Sequence, residues 1–323
     1  MSNKLDRRDF LKQSLAGSAA GALALSLEEE ALLAQSAQKK RGKSAATPPA
    51  AATGEMPVGK IGKLTILRLI IGGNLTSGFA HSRDLIYVSG LLRQYFTDAK
   101  VFETWELCEE CGINTAILRL DDQVIGLVSK YWNERGGKLQ WIAQVQIKPN
   151  DMSDLQRAVD HGAVGAFIHG GVSESFLAEG KVDALAKAVQ YIKDQKVVAG
   201  IGGHKVEVPM ACEKAGVDPD FYMKTLHSLT YWSANRKPEN DNVWCLTPER
   251  TVEFMQAVKK PWIAYKVMAA GAIHPKDGFQ YAFENGADFV CAGMFDFQVR
   301  EDAILARNIL SGSPTRRRRP WCA

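Results

Sequence analysis

Eight short apolar segments alternate with longer amphipathic segments between Leu64 and Asn308, and this rhythm leaves few folds open to the chain. The apolar segments cover residues 67–74, 115–120, 140–146, 165–169, 197–204, 221–227, 262–271 and 289–294. Strands that alternate with helical patterns predict parallel βαβ units. Eight units predict a single-domain α/β protein, a (β/α)8 TIM barrel, whose active site lies at the carboxyl ends of the strands.

Helix signals occupy the spaces between the apolar segments. Helical patterns cover residues 102–111, 153–161, 181–195 and 277–285. Three of them stop at a glycine that suits a helix C′ position. Two longer insertions, residues 76–97 and 228–246, leave from strand ends on the same side. We expect both insertions to cover the mouth of the barrel, where long loops commonly contact substrate.

The composition is ordinary for a globular protein, with 46% hydrophobic and 24% charged residues and a net charge of +4. No run approaches the ~18 apolar residues needed to cross a bilayer, so we expect no membrane span in the mature protein. Basic clusters at residues 39–43 and 316–319 lie outside the predicted barrel. We interpret them as solvated tails, not as nucleic-acid sites.

The first residues of the chain indicate export. Residues 6–12, Asp-Arg-Arg-Asp-Phe-Leu-Lys, resemble the twin-arginine (Tat) motif, and a weakly apolar stretch of small residues follows at 14–27. We therefore expect a signal segment over 1–37, a flexible linker over 38–56, the barrel over 57–312 and a basic tail over 313–323. The resemblance implies the Tat machinery as a partner and a periplasmic or other extracytoplasmic location.

Three consecutive apolar segments end on histidine, at His169, His204 and His227. Neighbouring strands would bring the three imidazoles together at the mouth. One hypothesis gives them metal-free acid/base or substrate-binding roles. A second makes them ligands of Zn²⁺, Fe²⁺ or Mn²⁺ with open positions for substrate. Purely structural roles are the remaining alternative.

Two lysines fall within the apolar segments, Lys224 in the sixth and Lys266 in the seventh. A lysine inside a barrel is costly unless it is paired or its pKa is lowered. Each is therefore a candidate catalytic residue, as a Schiff-base amine, a base or an anion ligand. Lys224 and His227 are three positions apart, so an ideal strand points them to opposite faces. The alternative for Lys266 is an outward position between helices.

Other polar side chains follow the strand ends and are predicted to line the rim. The candidate substrate-binding residues are Asn74, Arg119, Gln146, Asp296 and Trp232. Arg119 suits a carboxylate or polyol hydroxyls. The neighbouring Asp121 and Asp122 have a second interpretation as caps of the next helix.

The segment from Gly62 to Gly73, followed by Glu106 to Asn114, resembles the opening of the aldo/keto reductases: a short hairpin, a glycine-ended strand, then a helix closing in Gly-Ile-Asn. The resemblance implies a (β/α)8 barrel and NADP-dependent carbonyl chemistry. That family uses an Asp and a Tyr after its second strand, a Lys ending the third and a His ending the fourth. His169 stands at the place of the His, whereas Ile117 stands near that of the Asp and Gln146 near that of the Lys.

Small residues after the seventh and eighth segments are similar to the phosphate-binding end of many (β/α)8 enzymes. There, backbone N–H groups approach a phosphate closely, and Gly271, Ala272 and Gly293 are the candidates in this chain. The alternative is that these residues are small because strands and helices pack closely around them.

Together these features predict an exported TIM-barrel enzyme that acts on a small carbonyl or polyol (sugar-like) compound. The favoured chemistry is proton abstraction next to a carbonyl, with a lyase, isomerase or aldolase outcome. One alternative is an aldo/keto-reductase-like NADP-dependent oxidoreductase. Another is a non-catalytic barrel that binds carbohydrate through the aromatic loop at 228–246.

Overall fold

The computed structural model describes residues 55–79, 85–234 and 243–312. They lie within one compact unit, Ala52–Ala323. The predicted signal segment, nearly all of the predicted linker, the basic tail and parts of both insertions lie outside the described residues. None of the helices in these ranges is long and apolar enough to span a membrane.

The described residues form ten strands. They are β1 (Val58–Ile61), β2 (Leu64–Leu67), β3 (Leu69–Gly72), β4 (Thr115–Arg119), β5 (Gln140–Val145), β6 (Gly165–Ile168), β7 (Val198–Gly203), β8 (Phe221–Thr225), β9 (Trp262–Tyr265) and β10 (Phe289–Ala292).

The same ranges contain ten α-helices and a 3₁₀ turn at Ala269–Gly271. The helices are α1 (Val88–Tyr95), α2 (Asp98–Glu110), α3 (Asp122–Arg135), α4 (Ser153–Asp160), α5 (Gly170–Ala178), α6 (Val182–Asp194), α7 (Glu207–Lys214), α8 (Pro248–Ala257), α9 (Pro275–Glu284) and α10 (Asp296–Gly312).

Strands β3 to β10 close a barrel in chain order, because β10 pairs with both β9 and β3. Every pairing around the barrel is parallel. The predicted (β/α)8 TIM barrel is therefore confirmed. All strands run in one direction, so their carboxyl ends meet at one rim.

A hairpin formed by β1 and β2 closes the opposite end of the barrel. It turns at Gly62, whose φ of +54° lies in the left-handed region that glycine adopts without strain. Ile61, Leu64 and Ile66 of the hairpin are buried in the same apolar cluster as the residues that fill the barrel interior. The amino ends of the strands are thus sealed by apolar packing.

Side chains alternate between two apolar clusters along each strand. Ile117, Phe167 and Ile263 belong to the cluster inside the barrel. Trp141 and Trp262 belong to the larger cluster between the strands and the helices. A residue two positions after an interior residue also points to the interior, and this rule identifies the side chains that reach the mouth.

Several strands end earlier than the apolar segments predict. The segment at 262–271 forms a strand only over Trp262–Tyr265, since Lys266 has a φ of +57° and the chain then enters the 3₁₀ turn. The segment at 221–227 likewise stops as a strand at Thr225. Apolar composition continued beyond the strand because these loops pack inside the protein.

Asp302 of α10 is a buried carboxyl group, 3% exposed, and its Oδ2 has no hydrogen-bond partner in the described structure. Burial, helped by the charge of Glu301, raises its pKa to about 7. The folded protein therefore holds a proton that an unfolded Asp releases near pH ~3.9. This contribution to stability is complete below pH ~4 and is lost as the pH rises through about 7.

Asp302→Asn is expected to be more stable than the parent protein above neutral pH and to lose this pH dependence. Urea unfolding over a mildly acidic to mildly alkaline pH series measures the effect, which we expect to be on the order of 1–3 kcal/mol. Glu253→Gln, at an exposed position of α8, is the matched control. Parallel stability curves for Asp302→Asn and the parent protein would contradict the prediction.

Candidate active site

Five polar side chains lie at or just beyond the carboxyl ends of β4, β6, β7 and β9: Arg119, His169, His204, Tyr265 and Lys266. The ring centroids of His169 and His204 are 6.2 Å apart, and those of His204 and Tyr265 are 5.7 Å apart. The charges of Lys266 and Arg119 both act on His169. The mouth of the barrel thus gathers residues from four different strands.

Glu174 of α5 fixes the position of His204. Its Oε1 accepts hydrogen bonds from the backbone N–H groups of His204 (2.6 Å) and Lys205 (2.9 Å) and lies 3.3 Å from His204 Nδ1. Burial acts to raise the pKa of Glu174, but the bonds from His204 and Lys205 outweigh burial and lower it to about 2. The ionised carboxylate places a proton on His204 Nδ1, which leaves Nε2 as the atom that exchanges protons.

His169 is held in the opposite tautomer. It is the N-cap of α5, and its Nδ1 accepts a hydrogen bond from the Gly171 N–H at 3.2 Å. Burial first, and then the charges of His204 and Lys266, lower the pKa of His169. The imidazole is therefore neutral near pH 7, with Nε2–H as a hydrogen-bond donor.

Tyr265 is the last residue of β9 and follows the interior residue Ile263 by two positions, so its side chain points into the barrel. Burial and the negative charge of Glu174 raise the pKa of Tyr265 well above its usual range. None of the described residues hydrogen-bonds to its hydroxyl group. Gly170 makes room for it, because a Cβ there would lie 3.1 Å from both the Tyr265 hydroxyl oxygen and His204 Nδ1. Tyr265 is thus a protonated, available hydroxyl donor.

The loop after β9 carries backbone strain. Lys266, Ala269 and Ala270 all have positive φ values, which are costly for residues with a Cβ. The Lys266 Nζ lies 4.0 Å from the centre of the Trp244 ring. Trp244 belongs to the insertion predicted to cover the mouth, and this cation–π contact joins that insertion to the site. Such strain concentrates at functional sites.

Arg119 ends β4 and is held from two sides. Its Cζ lies 4.4 Å from the centre of the Phe79 ring, and its Nε lies 2.8 Å from Asp121 Oδ2. The other Asp121 oxygen, Oδ1, accepts a bond from the Val124 N–H at 2.8 Å and so caps α3, as the second interpretation of this residue predicted. The guanidinium plane is consequently fixed at the mouth.

His227 does not reach the mouth as a free imidazole. The ring is fully buried; Nδ1 is 2.9 Å from the Ser228 carbonyl, and Nε2 accepts bonds from the N–H groups of Trp244 (3.1 Å) and Cys245 (3.0 Å). Burial lowers the pKa of His227, which keeps the ring neutral. Both nitrogens are committed to the backbone, so the predicted catalytic and metal-binding roles do not fit, and the residue fastens the 228–246 insertion to β8.

Lys224 lies on the side of β8 that faces the helices, because its neighbours Phe221 and Met223 belong to the interior cluster and Tyr222 to the outer one. Its Nζ donates to the carbonyl oxygens of His204 (2.6 Å) and Thr225 (2.8 Å) and to Thr225 Oγ1 (2.9 Å). Burial lowers its pKa to about 8. The predicted catalytic role does not fit a lysine whose amine has three protein acceptors; it holds the chain around His204 in place.

The divalent-metal hypothesis is not supported. No group of three His, Cys, Asp or Glu side chains within the described ranges is arranged to hold a metal ion. The physical reason is that His227 and His169 use ring nitrogens for backbone N–H groups, while His204 turns Nδ1 toward Glu174.

Within the described contacts, the other predicted rim residues do not converge on the histidines. Asn74 and Gln146 are exposed, and Trp232 is 75% exposed. Asp296 accepts hydrogen bonds from the Tyr95 hydroxyl (2.5 Å) and from Lys100 Nζ (3.0 Å). Asp296 therefore joins α10 to α1 and α2, which explains its carboxylate without a substrate.

Two of the three predicted phosphate-binding residues, Gly271 and Ala272, use their backbone N–H groups within the 3₁₀ turn. The Gly271 N–H donates to the Met268 carbonyl at 2.9 Å, and the Ala272 N–H donates to the Ala269 carbonyl at 3.2 Å. A Cβ at Gly293 would lie 3.2 Å from Leu75 Cγ, a tight contact, so close packing favours a small residue there. The alternative of small residues for packing fits this part of the mouth better than a backbone phosphate cradle.

Removing the His227 ring is expected to loosen the insertion that it fastens. His227→Ala leaves two backbone N–H groups without their acceptor, which costs about 1–3 kcal/mol of unfolding free energy. Urea unfolding measures the loss, and limited proteolysis should cleave within 228–246 faster than in the parent protein. His161→Ala, at an exposed position after α4, is the control. Unchanged stability and unchanged cleavage would contradict this assignment.

Glu174 and Tyr265 were not among the residues that the sequence singled out. Tyr265 was recognisable in principle, because alternation from Ile263 directs it to the interior. Glu174 had no such signal: it follows Gly170-Gly171, which reads as a loop, and its partner His204 lies 30 residues further along the chain.

Comparison with known proteins finds similar folds among solved structures, several of them aldo/keto reductases. No protein-family model matches the sequence, and no curated protein is significantly similar to it. A Pseudomonas aeruginosa protein assigned as an aldo/keto reductase superimposes with a TM-score of 0.56 at 15% identity, over 81% of this chain and 100% of that one. The barrel is similar to aldo/keto reductases in fold.

Two further structures agree with this comparison. The holo form of an aldo/keto reductase from Bacillus halodurans gives a TM-score of 0.52 at 14% identity, covering 80% of this chain and 96% of that one. A variant of the protein Gox0644 in complex with NADPH gives a TM-score of 0.50 at 10% identity, covering 80% and 89%. At these identities the likeness establishes the fold alone.

Proposed function

We propose that the protein is an oxidoreductase that reduces a small carbonyl compound with NADPH, and that Tyr265 is the proton donor. The observation that carries the proposal is the protonated Tyr265 hydroxyl beside the Glu174–His204 pair at the mouth of the barrel. The similarity in fold to aldo/keto reductases, one of them in a holo form, and to an NADPH complex supports this reaction over the lyase, isomerase and aldolase alternatives.

Carbonyl reduction needs a hydride on carbon and a proton on oxygen. NADPH supplies the hydride when it is bound, and the protein must supply the proton. Tyr265 O–H and His169 Nε2–H are two neutral donors at the same rim, and neutral donors stabilise the negative charge that develops on the carbonyl oxygen. Glu174 keeps His204 oriented beside Tyr265.

Cationic side chains after β9 suit the negative charge of a dinucleotide, whereas the backbone N–H groups there do not. The N–H groups of Gly271 and Ala272 are used within the 3₁₀ turn. Phosphates would instead meet cationic side chains, and Lys266 and Lys276 are the candidates after β9. Lys276 is exposed at the start of α9.

The proposal is tested with full-length protein and a panel of aldehydes and ketones. We expect NADPH to quench tryptophan fluorescence on binding and to be oxidised when a carbonyl substrate is added. Tyr265→Phe should still bind NADPH but should oxidise it far more slowly. Absence of both binding and oxidation across the panel would contradict the proposal.

Proton abstraction next to a carbonyl is the second candidate, and the Glu174–His204 pair favours it, because a carboxylate-oriented imidazole is also a competent base. This chemistry requires no NADPH. Exchange of a substrate C–H hydrogen for deuterium, followed by NMR in D₂O without NADPH, would identify it. Exchange that disappears in His204→Gln would favour this candidate over reduction.

We also propose that the twin-arginine motif directs export of the enzyme. Lysine in place of both Arg7 and Arg8 is expected to keep the protein in the cytoplasm of a host that has this pathway. Fractionation of cells followed by immunoblotting measures the distribution. Equal amounts of parent and double variant in the periplasm would contradict export by this route.

A further inference from the structure

We propose that two copies of this chain associate through an exposed apolar surface on helix α1, and that the two-fold axis between them passes beside Leu91. We call this the α1 surface; it comprises six large apolar or aromatic side chains beside the mouth of the barrel: Leu85, Ile86, Tyr87, Leu91, Tyr95 and Phe297. All six are exposed in the described structure. Association of this kind does not depend on the proposed reaction.

The exposed large apolar side chains are concentrated on one side of the molecule. Within the described ranges they are the α1 surface, Phe79, Trp232 and Leu246, and each follows the carboxyl end of β3, β8 or β10. Helices α2 to α9 and the hairpin at the amino end contribute none of them. Single exposed apolar residues are normal, whereas a contiguous group marks a surface that contacts another molecule.

Helix α1 has apolar residues toward solvent as well as toward the core. Leu92 is buried, and Val88, one turn earlier, packs against the core. Tyr87, Leu91 and Tyr95 recur every four residues, so they form a second stripe along the helix. This stripe faces solvent, with Tyr87 60% and Leu91 59% exposed. A surface helix normally turns polar residues to solvent, so α1 has a face that lacks its partner.

Aromatic packing holds one end of the α1 surface in place. The ring centroid of Phe295 lies 5.5 Å from that of Tyr95 and 5.2 Å from that of Phe297. The Tyr95 hydroxyl donates to Asp296 at 2.5 Å. These contacts make Phe297 continuous with the stripe on α1. They also fix the surface before association, which reduces the entropy lost when a partner binds.

The stripe on α1 has the symmetry that a two-fold contact requires. A tyrosine lies four residues before Leu91 and another lies four residues after it, at Tyr87 and Tyr95. Antiparallel packing about Leu91 therefore places Leu91 against Leu91 of the second copy and Tyr87 against Tyr95 of the second copy. An isologous interface must be self-complementary in this way. No atom lies within 4 Å of a Cβ built on Gly90, so the backbone there has room for close approach.

The size and composition of the α1 surface suit a stable dimer. At about 200 Å² for each large side chain, the six residues expose roughly 700 Å². This area exceeds the ~300–600 Å² of the largest apolar patch on a typical monomer. It is close to the ~800 Å² that each partner contributes to a standard interface. Arg93 is the only charged residue in 85–95, and interface cores are rich in aromatic residues and poor in charges.

Sedimentation velocity of the full-length protein over a concentration series tests the proposal. The variants are Leu91→Glu and the milder Leu91→Ala. Leu246→Glu is the matched control, because Leu246 is a leucine of almost the same exposure, 61%, in the insertion after β8. Circular dichroism and thermal unfolding verify that each variant is folded.

We expect the parent to sediment as a dimer at micromolar concentrations. Leu91→Glu should weaken association by about 100-fold or more, because two like charges would meet at the axis. Leu91→Ala should weaken it by roughly 10-fold through the loss of apolar contact. Leu246→Glu should remain a dimer.

A Leu91→Cys variant tests the position of the axis. Two copies of one position lie close together only near a two-fold axis, so oxidised glutathione should join the two new thiols in one disulfide and leave two glutathione thiols. The variant carries Cys322→Ser, and the five other cysteines are buried. Leu246→Cys in the same background is the control. Non-reducing electrophoresis measures the covalent dimer.

A parent that sediments as a monomer at every concentration would overturn the proposal. So would a dimer that Leu91→Glu leaves intact, or a Leu91→Cys variant that forms no more covalent dimer than Leu246→Cys. A monomer that sediments with phosphatidylglycerol vesicles would overturn it too and would assign the α1 surface to a membrane. Oxidation of NADPH is measured separately, so the proposed function can fail while the dimer stands.

Discussion

Tyr265→Phe is expected to lower kcat for carbonyl reduction by about 10²–10⁴-fold, the usual contribution of a positioned proton donor. KM should change little, because phenylalanine keeps the ring and removes only the hydroxyl group. The protein should remain folded, since no described residue hydrogen-bonds to that hydroxyl. Stopped-flow or steady-state oxidation of NADPH with one aldehyde measures the effect.

Tyr281→Phe is the matched control for this variant. Tyr281 lies on α9, is half-buried and also has a pKa raised by burial, but it belongs to a helix and not to the end of a barrel strand. Its removal should leave kcat unchanged. If Tyr265→Phe and the parent reduce the same aldehyde equally fast, the proton comes from another group, and His169 becomes the next candidate.

Glu174→Gln is expected to reduce kcat by roughly 10-fold to 100-fold, because the amide no longer fixes the tautomer of His204. Rescue separates this role from a purely structural one: Glu174→Asp restores the charge and should recover more activity than Glu174→Gln. Glu179→Gln, on the exposed end of the same helix, is the control.

The same substitution has a consequence for stability that depends on pH. The folded pKa of Glu174 is about 2, below its unfolded value, so its stabilisation is present above pH ~4.3 and is lost as the pH falls through about 2. We therefore expect the parent to be more stable than Glu174→Gln at neutral pH, by on the order of 1–3 kcal/mol. The difference should shrink on acidification; a constant gap down to the lowest pH would contradict the assignment.

The barrel was predictable because its strands are covered on both sides. Strands buried on two faces read as continuous apolar segments, and amphipathic helices separate them. The hairpin was predictable from its resemblance to the opening of aldo/keto reductases. The segment at 262–271 was too long because the strand ends at Lys266, where a backbone conformation rare for lysine turns the chain. Sequence composition carries no signal for that turn.

The site was only partly predictable from sequence. His169, His204, Lys266 and Arg119 do lie together at the mouth, since each follows a strand and the carboxyl ends of parallel strands meet. His227 follows a strand in the same way but is fastened to backbone N–H groups 17 and 18 residues further along the chain. Such partners depend on how an insertion folds back, and no local pattern specifies them.

The hairpin at the amino end of the barrel has a consequence for the order in which ligands bind and leave. Apolar packing around Ile61, Leu64 and Ile66 leaves no passage at that end. A ligand that enters the barrel must therefore leave through the mouth at the carboxyl ends of the strands. If two ligands use one opening, the ligand that binds deeper in the barrel must bind first and be released last. We expect bisubstrate kinetics with a compulsory order of binding and not a random one.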